Sequence, residues 1–189
     1  MEKRAFKPKI KFTYEDYKSL PPSETKRYEL LDGELVMVPA PTTYHQRISF
    51  KLALILGLFV EEKGLGYVFF APIDVVLEEE GEYNIVQPDL IFISKEREEI
   101  IKEEEIRGAP DLVIEILSPA TEKCDRFYKK SLYARHEVKE YWIVDPEKKT
   151  IEVYTLKEYG FELYREYKLG DILKSFILEG LEIDLKEVF

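Results

Sequence analysis

The stretch Pro110-Asp-Leu-Val-Ile-Glu-Ile-Leu-Ser-Pro119 is almost wholly apolar and lies between two prolines. Such a run is typical of a strand that is buried on both faces in the middle of a sheet. It contains one carboxylate well inside the apolar run, at Glu115. An ionised carboxylate away from water costs more free energy than the roughly 5–15 kcal/mol by which a domain is stable. Glu115 must therefore be paired, protonated or bound to a cation.

A second segment repeats this design, since Gln87-Pro-Asp-Leu-Ile-Phe-Ile-Ser94 places Asp89 at the start of another apolar run. Side chains alternate between the faces of a strand, so Asp89 and Glu115 meet at one sheet edge if the two strands are neighbours. Two carboxylates beside backbone carbonyls and water suit Mg²⁺ or Mn²⁺, and such a cation can promote hydrolysis of a phosphodiester. The alternative is structural: Asp89 caps a turn and Glu115 pairs with a base on a helix. Spacing alone leaves both interpretations open.

The composition describes a globular protein of 189 residues, 45% hydrophobic and 35% charged. We expect one domain over residues 1–189, located in the cytoplasm and not bound to a membrane, because no long apolar run or signal-type segment is seen. One cysteine and two histidines argue against a disulfide framework and a zinc site. The abundance of Lys and Glu and the scarcity of Asn, Gln, Cys and Met are typical of proteins from hot environments.

The net charge of -10 argues against nucleic-acid binding unless the basic residues cluster on one face. They do cluster in the segment from Glu122 to Arg135, which has five basic residues and two acidic ones. We therefore predict that Lys123, Arg126 and Lys130 contact nucleic-acid phosphates.

The order of predicted elements gives a mixed sheet flanked by helices, an α/β (α+β) domain. A loose basic arm over residues 1–10 precedes a short helix, which begins at Thr13 and stops at Pro21-Pro22. A hairpin then turns at Asp32-Gly33. The remaining predicted elements are a helix from Thr43 to Lys63, two strands over 66–70 and 73–77 or one bent strand there, the Asp89 strand, a helical 95–105 segment, the Glu115 strand, a helix from Thr121 to His136, a β-meander from Glu140 to Tyr167, and a short strand with a terminal turn over 177–189.

Many short motifs occur here in an order that resembles one family. They are Tyr28-Glu-Leu-Leu-Asp-Gly-Glu-Leu35, His45-Gln46, Gln87-Pro-Asp-Leu90, Gly108-Ala-Pro-Asp-Leu-Val-Ile-Glu-Ile-Leu-Ser-Pro119, Asp125-Arg126, Lys129, Leu132-Tyr-Ala134 and Glu140-Tyr-Trp-Ile-Val-Asp-Pro146. From about residue 12 to the C-terminus, the chain resembles the Uma-two family of restriction endonucleases, within the PD-(D/E)XK nuclease superfamily. The resemblance implies a restriction-endonuclease-like core over about 43–146, with an added N-terminal hairpin and a C-terminal β-meander. It also implies Mg²⁺ or Mn²⁺ held by Asp89 and Glu115.

The sequence departs from the superfamily at Leu117, where a lysine is expected two residues after the glutamate. Lys129 lies in the next helix, where this family carries a lysine, and it shares a helical face with Asp125 and Tyr133. We predict that Lys129 steadies the attacking water or a phosphate oxygen, with Lys130 as the second choice. The structural alternative makes both lysines solvated positions on a basic helix.

Further predictions concern side chains near these motifs. Glu34, after the hairpin turn, is assigned as a third metal ligand or supporting acid, although it could be an ordinary surface residue. His45, at the start of the long helix, is assigned to a phosphate or a metal-bound water, although a lone histidine is more often structural. Gln87 is expected to orient Asp89. Tyr141 and Trp142 are expected to be core and dimer-surface aromatics rather than platforms for base stacking. The sequence leaves open whether the protein is a homodimer.

The function predicted from these features is a metal-dependent endonuclease that hydrolyses DNA phosphodiester bonds, an endodeoxyribonuclease with DNA as its partner. The alternative is a nuclease-fold protein without catalysis that binds nucleic acid or another protein. Leu117 and the net charge of -10 favour the alternative, whereas Asp89, Glu115 and Lys129 together favour the enzyme. Hydrolysis of a glycoside by the two carboxylates is disfavoured, because both lie in aliphatic runs rather than among aromatic residues.

Overall fold

The computed structural model describes residues 10–21 and 27–189. The predicted basic arm over 1–10 lies, except for its last residue, outside the described residues, and so does Pro22. The predicted first helix is present at Tyr14–Lys18, and Thr13 caps it by accepting a hydrogen bond from the amide of Asp16. Within the described ranges, no helix is both long enough and apolar enough to cross a membrane.

The helices and strands follow one another largely in the order that the sequence predicts, with short strands added at 105–107 and 172–174. In chain order they are α1 (Tyr14–Lys18), β1 (Arg27–Leu31), β2 (Glu34–Val38), α2 (Thr43–Lys63), β3 (Gly66–Phe70), β4 (Asp74–Glu79), β5 (Glu82–Val86), β6 (Leu90–Ser94), β7 (Glu105–Arg107), β8 (Leu112–Ile116), α3 (Lys130–Arg135), β9 (Glu140–Asp145), β10 (Thr150–Lys157), β11 (Gly160–Lys168), β12 (Ile172–Lys174), β13 (Glu182–Asp184) and α4 (Leu185–Val188).

The strands form two main sheets and a small pair. The larger sheet has the order β11-β10-β9-β8-β6-β3, and the smaller one has the order β2-β1-β5-β4-β7. The pair β12-β13 stands apart from both. In the larger sheet β8 runs antiparallel to β6 and parallel to β9, so the sheet is mixed. The predicted fold class, a mixed sheet flanked by helices, is confirmed.

The two faces of the larger sheet are covered by different layers, and alternation along β8 shows this directly. Leu112, Ile114 and Ile116 pack with the buried side of α2 and with the C-terminal residues 173–188. Val113 and Leu117 point the other way, toward the smaller sheet and α3. Glu115 has the parity of this second face. Its carboxylate therefore lies between the two sheets.

Helix α2 has clear physical reasons for its limits and its orientation. Thr42 caps its N-terminus by accepting a hydrogen bond from the amide of His45, and Gly64 ends it in the left-handed conformation with φ 62. Its buried residues recur every four positions, which places one stripe against the sheet: Ile48, Leu52, Leu56 and Val60.

Residues 66–77, predicted as two strands or one bent strand, form two strands that belong to different sheets, because β3 pairs with β6 whereas β4 pairs with β5 and β7. Two other segments differ from the sequence-based expectation. The acidic segment is a short 3₁₀ helix over Lys95–Ile100 that leads into β7 instead of a longer helix. The helix predicted from Thr121 contains a π-helical segment, Cys124–Lys129, before α3. Such wide turns are rare and occur often at functional sites.

Candidate active site

Asp89 and Glu115 lie at one end of the larger sheet, on adjacent strands. The register pairs Leu90 with Ile114, so the next position along each strand brings these two acids opposite each other. Oδ2 of Asp89 accepts a hydrogen bond of 2.7 Å from the amide of Ile116, which anchors the carboxylate to the end of β8. The geometry that strand alternation predicts is therefore present.

Lys129 bridges three carboxylates from different elements. Its Nζ lies 2.8 Å from Oε1 of Glu29, 3.1 Å from Oε1 of Glu115 and 3.5 Å from Oδ1 of Asp125. The side chains of Lys129, Glu29 and Glu115 are only 5–6% exposed. An ammonium has three donors, and these three acids surround it. In this structure Lys129 therefore acts on the carboxylates rather than reaching into solvent.

Tyr133 completes the helical face that carries Asp125 and Lys129. Its hydroxyl donates a 2.7 Å hydrogen bond to Oε1 of Glu115, and the residue is fully buried. One carboxylate oxygen of Glu115 thus accepts hydrogen bonds from both Tyr133 and Lys129. The spacing of four residues along the helix accounts for this convergence.

The electrostatics of the cluster are dominated by an excess of acids. Burial raises the pKa of Glu115 well above its usual value; Lys129 opposes this rise, while Asp125, Asp89 and Glu29 add to it. Burial also raises the pKa of Asp125, and Lys129 again opposes the rise. Although burial alone would lower the pKa of Lys129, the surrounding carboxylates raise it well above its ordinary value. The cluster therefore has more acidic groups than the single ammonium of Lys129 can balance.

His45 reaches the same sheet edge from the first turn of α2. Its Nε2 lies 3.1 Å from the carbonyl oxygen of Ile116 and 3.3 Å from Oδ2 of Asp89. Burial lowers the pKa of His45, but the hydrogen bond and charge of Asp89 and the carbonyl of Ile116 outweigh it and raise the pKa. Its Nδ1 is buried with no hydrogen-bond partner among the described residues. The ring is therefore held through Nε2 alone.

Glu29 is the residue of this cluster that sequence reasoning missed. It lies on β1 and is 4% exposed, and its Oε1 accepts hydrogen bonds from Lys129 and from the amide of Gln87. The predicted third acid, Glu34, lies at the start of β2 opposite Leu31 and is exposed. The structure thus puts Glu29, not Glu34, against Lys129. The available signal was parity, because Glu29 shares a strand face with the buried Leu31.

Gln87 does not orient Asp89 as expected, because its side chain points to another acid. Its Nε2 donates a 2.8 Å hydrogen bond to Oδ1 of Asp74, which also accepts one of 2.9 Å from the hydroxyl of Tyr17. The backbone amide of Gln87 holds Glu29 instead. Gln87 thus supports the cluster through the main chain.

The basic residues predicted to contact phosphates differ in their surroundings. Arg126 lies 3.0 Å from Glu122, 2.7 Å from Glu152 and 3.5 Å from Asp145, so its charge is compensated within the chain. Lys130 lies over the ring of Tyr154, 3.6 Å from the centroid, and burial lowers its pKa. Of the three, Lys123 is the exposed one.

Tyr141 and Trp142 are fully buried on β9, so they belong to the core rather than to a dimer surface. The hydroxyl of Tyr141 donates a hydrogen bond to the backbone carbonyl of Asp125, which helps to fix the π-helical segment.

The sheet edge carries the donor atoms for the divalent cation that the sequence predicts. Within the described part of the chain, no three His, Cys, Asp or Glu side chains converge with metal-ligand geometry. Asp89, Glu115 and the carbonyl of Ile116 nevertheless offer only oxygen atoms, in a cluster with more acids than bases. Mg²⁺ commonly binds to one or two carboxylates and keeps several waters. The residues therefore fit a hard divalent cation.

Comparisons with known proteins identify the family and support the fold. The Uma2 family model, described as "Putative restriction endonuclease", matches residues 14–186. An uncharacterized protein from Synechocystis sp. is 26% identical over 165 residues, which cover 87% of this chain and 84% of the relative. A crystal structure described as a putative nuclease belonging to DUF820 from Anabaena variabilis superimposes with a TM-score of 0.76 at 21% sequence identity. The superposition covers 94% of this chain and 97% of the Anabaena chain, so the two share a fold. Because the family model spans most of the sequence, the chain belongs to the Uma2 (Uma-two) family.

Proposed function

We propose that this protein is a metal-dependent endonuclease that hydrolyses phosphodiester bonds in DNA. The observation that carries the proposal is the position of Glu115, a buried carboxylate beside Asp89 at the sheet edge with more acids than bases around it. A structural ion pair would need one base for Glu115, not a surplus of carboxylates. Membership of a family whose model is described as "Putative restriction endonuclease" supports the same activity.

Asp89 and Glu115 would hold Mg²⁺ or Mn²⁺, with the carbonyl of Ile116 as a further oxygen donor. A bound cation of this type supplies a Lewis acid for a phosphoryl oxygen and lowers the pKa of water. The chain's own part is to keep both carboxylates in place. The amide of Ile116 does this for Asp89, and Tyr133 and Lys129 do it for Glu115.

Lys129 has a different role in this proposal from the one predicted from sequence. Three carboxylates surround its ammonium, so we assign it to positioning Glu115 and to favouring the ionised form of that carboxylate. A lysine held in place by three carboxylates contributes a preorganised positive charge at the site. Direct contact with the attacking water would require Lys129 to leave at least one of these acids.

His45 positions the carboxylate of Asp89. A proton on Nε2 lies between Asp89 and the Ile116 carbonyl, where it can be donated to either oxygen. This fixes Asp89 from the α2 side, while the Ile116 amide fixes it from β8. Glu29 holds Lys129 from the opposite side of the cluster, and we propose it in place of Glu34 as the third acid.

The proposal is tested by cleavage of supercoiled plasmid with pure protein in Mg²⁺, Mn²⁺ or excess chelator. The wild type should nick or linearise DNA only with metal, and Glu115→Gln should not, although it keeps the size of the side chain. The matched control is Glu158→Gln, an exposed acid in the turn between β10 and β11, which should cleave as the wild type does. A wild type that binds DNA without cutting it would support the non-catalytic alternative, which Leu117 and the engagement of Lys129 favour.

A further inference from the structure

The outer face of α2 exposes large apolar side chains in a regular stripe. Phe50 is 63% exposed, Leu54 46% and Leu58 54%. They recur every four residues, directly opposite the stripe that packs against the sheet. Single exposed apolar residues are ordinary on a protein surface, whereas a contiguous set points to an interaction site.

Charged residues at the two ends of this stripe have opposite signs. Arg47 and Lys51 precede its centre, and Glu61 and Glu62 follow it, and all four are exposed. Arg47 and Glu61 both lie seven positions from Leu54, and Phe50 and Leu58 both lie four positions from it. A half-turn about an axis through Leu54 therefore places the basic end of this face against the acidic end of an identical face.

We propose that this face binds the same face of a second copy of the chain, with the two α2 helices antiparallel about a two-fold axis at Leu54. In this arrangement Phe50 of each copy packs on Leu58 of the other, and Arg47 of each copy pairs with Glu61 of the other. A two-fold axis requires a self-complementary patch, which the charge pattern provides. The inference is independent of the proposed nuclease activity.

Two local features agree with a close helix pair. Arg47 and Glu61 are about 21 Å apart along the helix axis, so they cannot pair within one chain. Gly57 lies beside the stripe, and a Cβ atom built there would meet no atom within 4 Å. A glycine on this side leaves room for the partner helix opposite Lys51. Arg47 stays at the surface, where it stacks on Tyr44 and donates to the carbonyl of Phe189.

A single helix pair buries less area than the roughly 1,600 Å² of a standard complex, so we expect association in the micromolar range. Sedimentation velocity of the full chain over a wide concentration range should show a monomer–dimer equilibrium. Leu54→Ser should weaken dimerisation by about tenfold or more, because Leu54 meets its own copy at the axis. The matched control is Leu163→Ser, since Leu163 is 52% exposed on β11 and lies outside the stripe.

Charge reversal tests the antiparallel arrangement itself. Arg47→Glu and Glu61→Arg should each weaken the dimer by about tenfold or more through like charges across the interface. The double variant should dimerise as the wild type does, because each reversed residue then meets its reversed partner. Circular dichroism and thermal melts confirm that each variant is folded. The proposal is overturned if the wild type is monomeric at every concentration, if Leu163→Ser breaks the dimer and Leu54→Ser does not, or if the double variant stays as weak as the single ones.

Discussion

Replacement of Lys129 by methionine tests the central feature of the site, because it removes the ammonium group but keeps a side chain of similar length. The ammonium contacts Glu29, Glu115 and Asp125 at 2.8, 3.1 and 3.5 Å in a nearly closed environment. Loss of one partner from a buried ionic cluster costs about 3–5 kcal/mol, since the remaining charges stay buried without compensation. For a domain of this size, that corresponds to a melting temperature lower by about 6–20 °C.

The pH dependence of this loss has a definite sign. Burial and neighbouring acids raise the pKa of Glu115, and Lys129 is the group that lowers it, so Lys129→Met raises this pKa further. A carboxyl group with a raised pKa in the folded state destabilises that state progressively as the pH rises from the unfolded pKa to the folded one. The deficit of Lys129→Met should therefore be smaller at about pH 5.5 than at about pH 8.

Thermal melts at both pH values check the prediction, with Lys130→Met as the matched control. Lys130 is adjacent in sequence but contacts the ring of Tyr154, so its loss should cost no more than about 1 kcal/mol at either pH. Lys129→Met should also lose plasmid cleavage, because Glu115 loses the base that positions it and favours its ionised form. Equal melting shifts in the two variants, or a deficit for Lys129→Met that is the same at both pH values, would refute the charge argument.

Three other predictions follow from the same geometry. Mn²⁺ at about 100 times its dissociation constant should stabilise the wild type by about 2.7 kcal/mol and should hardly stabilise Asp89→Asn. Equal melting shifts of the two proteins in differential scanning fluorimetry would place the cation elsewhere. Tyr133→Phe should lower stability by about 1 kcal/mol and slow cleavage, because Glu115 loses a 2.7 Å hydrogen bond; unchanged turnover would show that this contact is not needed. Lys123→Gln should flatten the salt dependence of DNA binding by about one unit of slope, whereas Arg126→Gln should mainly lower the melting temperature, since its charge already has three partners.

Much of the fold and part of the site could be predicted because their signals are local. Strand alternation was sufficient to bring Asp89 and Glu115 to one sheet edge, and helical spacing was sufficient to align Asp125, Lys129 and Tyr133. These patterns depend on backbone geometry within one element or one pair of strands. The structure needed only to make β6 and β8 neighbours.

The structure departs from the sequence-based expectation where the outcome depends on packing between distant elements. Strand parity turns Glu29 rather than Glu34 of the hairpin inward, but only the packing of the smaller sheet against the helical segment that carries Lys129, 100 residues away, brings Glu29 to that lysine. Arg126 was expected to contact phosphate because its sequence neighbours are basic. Its actual partners include Glu152, 26 residues away on the β-meander. No local pattern contains that information.

Two of the acids around Lys129 belong to different sheets, and this has a mechanical consequence. Glu29 is carried by the smaller sheet and Glu115 by the larger one, so Lys129 acts as a tether between two layers. Sliding of one layer over the other by about 1 Å would take these contacts out of hydrogen-bond range. The stiffness of the packing between the layers therefore sets how long the site stays assembled, and amide hydrogen exchange in β1 reports the same motion as the site itself.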